Sequence, residues 1–152
     1  MVKTKTNTTP FNSRDFSAIF DHVSIGVRNI NISLNFYRAC LGELGMKVVM
    51  DKGFAVAFGD GIGRQWLWVS EPIDKNLEVK ANNGAHFAFI AHNRKTVRSF
   101  YKEAIAHGGI DAGAPGLRPE YMATYYGAFV FDPDGNKVEA VCRKDEDEDE
   151  DE

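Results

Sequence analysis

Two histidines, His22 and His86, stand 64 residues apart, each within a short apolar run, "DHVSIGV" and "GAHFAFIA". A single carboxylate, Glu139, interrupts a third such run, "KVEAVC". Two neutral imidazoles and one carboxylate form a donor set that suits Zn, Fe(II), Mn or Ni and leaves coordination positions open to water or substrate. Taken singly, each reads more readily as a hydrogen-bonded interior residue than as a ligand, and Glu139 has Arg64 and Arg118 as alternative partners. What groups the three is face, because side chains along a strand alternate between its two sides. With these runs as strands, Ile19, Val23, Ile25 and Val27 share one side and leave His22, with Phe20, Ser24 and Gly26, on the other. By the same count His86, Ala88 and Ile90 oppose Phe87 and Phe89, while Glu139 and Val141 oppose Val138, Ala140 and Cys142. His92 and His107 fall near a helix start and a helix end and are read as structural, the latter favoured there by the helix dipole.

The elements that must position these residues form a repeat. With the chain shifted by 64 residues, "HVSIGVRNINISLNFYRACLGELG" lies over "HFAFIAHNRKTVRSFYKEAIAHGG" without a gap, pairing His22 with His86, Asn29 with Asn93 and Phe36-Tyr37 with Phe100-Tyr101. Each copy opens with a β-rich run ending at an asparagine, whose side chain can cap a helix by accepting from a free backbone N–H. Ile32, Phe36, Ala39 and Cys40 in the first copy, and Val97, Phe100, Tyr101, Ala104 and Ile105 in the second, recur at helical spacing. Gly45 and Gly108-Gly109 then end the helices. "MKVVMD", "FAVAFG" and "QWLWVSE" predict three strands in the first copy. In the second, a weak strand near Ile110, a long loop "GAPGLRPEYMAT", then "YYGAFVFD" and "KVEAVC" joined by the turn "PDGN" follow. The pattern is β-α-β-β-β used twice.

Two such modules, each too small to bury both faces of its sheet, predict an α+β fold: a cupped mixed sheet with helices outside and the inner faces enclosing a cleft. The expected boundaries are a flexible lead-in over 1–18 and one domain over 19–143. That domain holds modules 19–71 and 84–143, with linker 72–83, and a disordered acidic tail fills 144–152.

The net charge of −4 conceals a split. Asp145 to Glu152 hold eight of the 22 acids, leaving 14 against 18 basic residues in the body. A block of like charge repels itself and has nothing to bury, and consecutive acids lack the spaced ligands and glycine of a calcium loop. Apolar residues at 43% and charged ones at 26% are those of a soluble domain, with no apolar stretch of membrane-spanning length. The N-terminus has no apolar core of a secretory signal. Cys40 and Cys142 form no CxxC pair and read as reduced packing residues, which together predicts a cytoplasmic protein. The basic residues are scattered, so nucleic acid is not expected as a partner, and no phosphate-binding loop or nucleophile elbow is present.

"DHVSIGV", "GAHFAFIA", "FYKEAIAHGG" and "YYGAFVFDPDGNKVEAV" resemble the vicinal oxygen chelate superfamily, which includes glyoxalase I, extradiol dioxygenases, fosfomycin-inactivating transferases and bleomycin-resistance proteins. The resemblance runs from about Phe20 to Arg143. It implies one divalent metal (Zn, Ni, Mn or Fe) held by His22, His86 and Glu139, and a homodimer. It also implies a fourth ligand position on the fourth strand, where counting from the turn gives Gln65 and matching "WLWV" to "VEAV" gives Leu67. Parity sends Trp66 and Trp68 to the packed side.

The loop before the last hairpin concentrates Arg118, Glu120, Tyr121, Tyr125 and Tyr126 at the cleft mouth. Arg118, Tyr126 and Glu120 are candidates for substrate contacts, and Tyr125 and Tyr121, with Glu139, for proton transfer or oxyanion stabilisation. Two functions fit. One is a metal-dependent lyase, isomerase or dioxygenase acting on a small oxygen-rich molecule. The other is a metal-free protein that sequesters a small molecule in the manner of bleomycin-resistance proteins.

Overall fold

The computed structural model describes residues 20–145, so the lead-in over 1–18 and most of the acidic tail lie outside the described residues. The first module runs β1 (Val23–Gly26), α1 (Ile30–Glu43), β2 (Lys47–Asp51), β3 (Ala55–Gly59) and β4 (Gln65–Ser70). The second runs β5 (His86–Ile90), α2 (Arg94–Ala106), β6 (Ile110–Leu117), β7 (Tyr126–Phe131) and β8 (Lys137–Cys142). The sheets have matching orders, β1-β4-β3-β2 and β5-β8-β7-β6. In each, the first strand pairs parallel with the last and the others pair antiparallel. The tandem β-α-β-β-β arrangement is the one the repeat predicts.

Local chemistry explains the helix ends. The Asn29 side chain accepts from the backbone N–H groups of Asn31 and Ile32, and that of Asn93 from Thr96. Gly45 and Gly108, with φ of 78° and 95°, turn the chain out of each helix in the left-handed region that glycine adopts without strain. Ile30, Phe36, Tyr37, Cys40 and Leu41 of α1, and Val97, Phe100 and Ala104 of α2, are buried. Ile32, by contrast, is 55% exposed, because the buried stripe of α1 passes through Ser33 instead. Both cysteines are free and buried, and burial pushes the Cys40 thiol well up, as suits packing residues.

One further correction concerns the second module. β6 extends to Leu117, with register shifts around Gly113 and Gly116, so the loop shrinks to residues 118–125. Glycine and proline weaken the intrinsic strand signal there; pairing with β7 supplies what propensity does not. Hydrogen bonds from Arg118 N–H to the Tyr125 carbonyl and from Tyr125 N–H to the Met122 carbonyl close the loop.

The helix-side faces of both sheets and the two helices share one continuous apolar cluster, with α1 packed on α2. A polar clasp reinforces this contact. Buried Asp132, in the β7–β8 turn, accepts from Tyr37 Oη at 2.8 Å, from the backbone N–H groups of Asp134 and Asn136 and from the Asn136 side chain. Asp134 accepts from the Arg28 backbone and Nε and from Ser33 Oγ. Module one thus grips the hairpin that carries Glu139. The opposite sheet faces stay largely open within a single chain, with Ser24, His86, Ala88 and Ile90 exposed. Among the described residues no helix is long and apolar enough to cross a membrane.

Candidate functional site

On the open face of the second sheet, β5 and β8 lie parallel, with His86 opposite Lys137 and Ala88 opposite Glu139. Val138, Ala140 and Cys142 enter the core, so alternation turns Glu139 to the other side, yet its side chain is only 1% exposed. Three neighbours cover it. Tyr125 donates its phenol proton to Glu139 Oε1 at 2.5 Å, His86 Nε2 stands 3.2 Å from Oε2, and the His86 ring meets Phe129 edge-on at 6.4 Å. A buried carboxylate needs such partners, since an unpaired one carries a heavy desolvation cost. Burial first, and then the bond to Glu139, push the Tyr125 phenol up to about 12, so it is a neutral donor near pH 7. Tyr121 braces the Tyr125 ring edge-on at 5.2 Å.

Space for the carboxylate comes from Gly127 on β7, a residue that strand patterning passes over. A Cβ at this position would lie 3.1 Å from Glu139 Oε1 and 3.2 Å from the Tyr125 ring. A glycine inside an otherwise apolar strand marks such close approach and was the available signal in "YYGAFVF". Gly127→Ala is therefore expected to displace the carboxylate, costing about 1–2 kcal/mol of stability. Thermal melts of the variant against wild type would measure the loss.

Other candidates lie elsewhere. His22 precedes β1, on the side of exposed Ser24 and Gly26, with Nδ1 2.6 Å from Asp21. Among the described residues no three His, Cys, Asp or Glu side chains gather within one chain as a metal site, so His22 does not join His86 and Glu139 there. Tyr126 belongs to the helix side, packed on the core with Arg94 and Arg98 over its ring at 5.3 and 5.9 Å. It does not face the open sheet, because it starts the alternation that buries Ala128 and Val130. Glu120 and Tyr121 are exposed on the loop. Arg118 is half-buried and folds back over β6, donating to the carbonyls of Ala114 at 2.7 Å and Leu117 at 3.1 Å.

The fourth-strand position resolves differently from either expectation. Ser24 pairs with Trp68 in the first module as Ala88 pairs with Glu139 in the second, and Ser24 and Ala88 are 64 residues apart. Trp68 therefore occupies the place of Glu139. Leu67 is buried in the core, and Gln65 lies beyond the irregularity where Phe58 pairs with Leu67 but Gly59 with Gln65. A register change of one residue exchanges the faces of a strand, which moves Trp68 from the packed side to the open one. There Lys52 Nζ sits 5.2 Å from its ring.

Comparison with known proteins agrees with this architecture. Residues 19–140 match the sequence profile of the glyoxalase/bleomycin resistance protein/dioxygenase superfamily. The chain belongs to that superfamily. A glyoxalase/bleomycin resistance protein from Albidiferax ferrireducens is 31% identical, with a TM-score of 0.72 over 84% of this chain and 100% of that one. A family enzyme from Burkholderia phytofirmans is 17% identical (TM-score 0.64, 82% of this chain and 98% of that one). The lactoylglutathione lyase of Agrobacterium tumefaciens is 23% identical (TM-score 0.56, 82% and 92%). These last two likenesses show the fold alone. No curated protein matches the chain. Within the superfamily frame, the open face of the second sheet, with its buried Glu139, is the candidate site.

Proposed function

We propose that this protein is a divalent-metal-dependent enzyme acting on a small oxygen-rich molecule, by lyase, isomerase or dioxygenase chemistry. The observation that carries the reading is the buried Glu139 carboxylate, held between His86 and Tyr125 on an otherwise open sheet face. His86 Nε2 and Glu139 Oε2 have the donor chemistry of a Zn, Ni, Mn or Fe site, but one chain supplies only these two together. The third donor, His22, comes from a second copy. Ile90 on the face of His86 and Phe20 on the side of His22 are 86% and 75% exposed, apolar surface that a twofold partner would cover. In such a homodimer the first module of each copy caps the second module of the other.

When bound, the ion supplies Lewis-acid polarisation of adjacent substrate oxygens. The chain's own residues do the rest. Tyr125, neutral near pH 7, holds a proton at the carboxylate edge, where it can be donated to an oxygen that gains charge. Phe129 and the Tyr121–Tyr125 pair exclude water from one side of Glu139. Two free buried thiols suit a reducing, cytoplasmic setting.

Elemental mass spectrometry of the untagged protein tests the reading. Near-stoichiometric metal that vanishes in His86→Ala is expected; an apoprotein that takes up none of the four metals on reconstitution would overturn it. One observation favours a second reading, metal-free sequestration of a planar molecule: Trp68 fills the strand position where a fourth ligand would stand. Empty protein that binds aromatic ligands with quenching of tryptophan fluorescence is the outcome that would select it.

A further inference from the structure

We propose that the substrate is an anion whose carboxylate, phosphate or phosphonate group docks on Arg118, Lys137 and Arg143 at the rim of the second sheet. This rests on the reading of that face as the substrate site and adds the chemical class of its ligand.

The three cations surround Glu139 on two of its covering rings. Arg118 and Lys137 stand over Phe129 at 5.7 and 4.8 Å, and Arg143 over Tyr125 at 5.5 Å. Stacking on aromatic rings holds each head group without neutralising it. No carboxylate pairs with any of the three among the described residues; Glu139, the acid they surround, is already engaged by Tyr125 and His86. The rim therefore carries an excess of positive charge beside the Phe129 and Tyr125 rings. Such charge focuses anions towards the site.

Arg118 is the best-built of the three. Two glycines leave the space its guanidinium fills: a Cβ on Gly116 would lie 3.0 Å from Nη1, and one on Gly113 would lie 3.5 Å from Nη2 and 3.0 Å from the Phe129 ring. Bonds to the Ala114 and Leu117 carbonyls fix the fork and occupy only part of its five N–H donors. A guanidinium held this way has already lost most of its rotamer freedom, so an oxyanion meets a preorganised donor. Lys137 begins β8 opposite His86 and two residues before Glu139, which places its charge beside the reacting region. The irregular, glycine-rich β6 thus has a purpose beyond closing the sheet.

The test uses chelator-treated protein, so that its outcome is independent of whether metal binds. Malonate and inorganic phosphate are titrated separately against the 15N-labelled chain, following the amides of Gly113, Gly116 and Gly127. Saturable shifts centred on these residues are expected, with binding weakened about tenfold in Arg118→Met and in Lys137→Met, and unchanged in Lys102→Met on exposed α2. Lys137→Met makes no change to the loop bonds and keeps the test valid if Arg118→Met disturbs the loop. Preference for malonate indicates a carboxylate substrate, and preference for phosphate indicates a phosphate ester or phosphonate. Absence of saturable binding, or equal binding in all variants, would overturn the proposal while leaving the metal measurement to stand or fall separately.

Discussion

On the proposed metal-dependent reading, Glu139→Ala and His22→Ala should each lower metal affinity at least about 100-fold, since each would remove one of three proposed protein ligands. Mixing the two inactive proteins should restore part of it. If His22 of one copy serves Glu139 of the other, a mixed dimer contains one fully intact site and one doubly damaged site. Random exchange of subunits then recovers about a quarter of the wild-type metal per chain, because half of the dimers are mixed and each holds one of two sites. A site built within one chain would recover nothing. Elemental analysis after co-refolding, with size-exclusion light scattering to verify dimers, distinguishes the two. Glu139→Gln adds a control for folding. It keeps the shape and the ability to bond Tyr125 and His86, so its melting temperature should stay near wild type while its metal is lost.

The second large effect is structural. Asp132→Ala should destabilise the protein by about 3–5 kcal/mol, because it leaves the Tyr37 phenol and two turn N–H groups without their acceptor in a buried setting. For a chain of this size the melting temperature should fall by roughly 10 °C. Tyr37→Phe removes one bond of the clasp and should cost about 1–2 kcal/mol. A double-mutant cycle of the two should show strong coupling, as expected for side chains that share a network. The pair also predicts alkaline behaviour. Burial first, then the Asp132 charge, raises the Tyr37 phenol well above its usual value. Its contribution to stability is therefore complete below the unfolded value of about 10 and is lost as pH rises toward the folded one. Denaturant melts above pH 10 should weaken less steeply in Tyr37→Phe.

The twofold repetition, the capping asparagines, the helix-ending glycines and the sheet faces of His86 and Glu139 were all legible in the sequence. Each depends on local chemistry or on a period of two or 3.6 residues, which the chain carries whatever it packs against. Four things needed the tertiary structure. Strand register decided that Trp68, rather than Gln65 or Leu67, matches Glu139, because an irregularity near Gly59 shifts the count and sequence does not mark where it falls. Pairing with β7 turned the weak stretch after Ile110 into a full strand, and the same alternation sent Tyr126 to the helix side. The turn "PDGN" read as a simple hairpin, yet Asp134 and the preceding Asp132 reach α1 and the residues before it across about a hundred positions of chain. Which donors meet within one chain was likewise beyond the repeat: equivalent positions in two modules share a face by local geometry, whereas their distance depends on how the modules dock. Periodicity specifies the direction of a side chain, and only packing between distant segments specifies its neighbours.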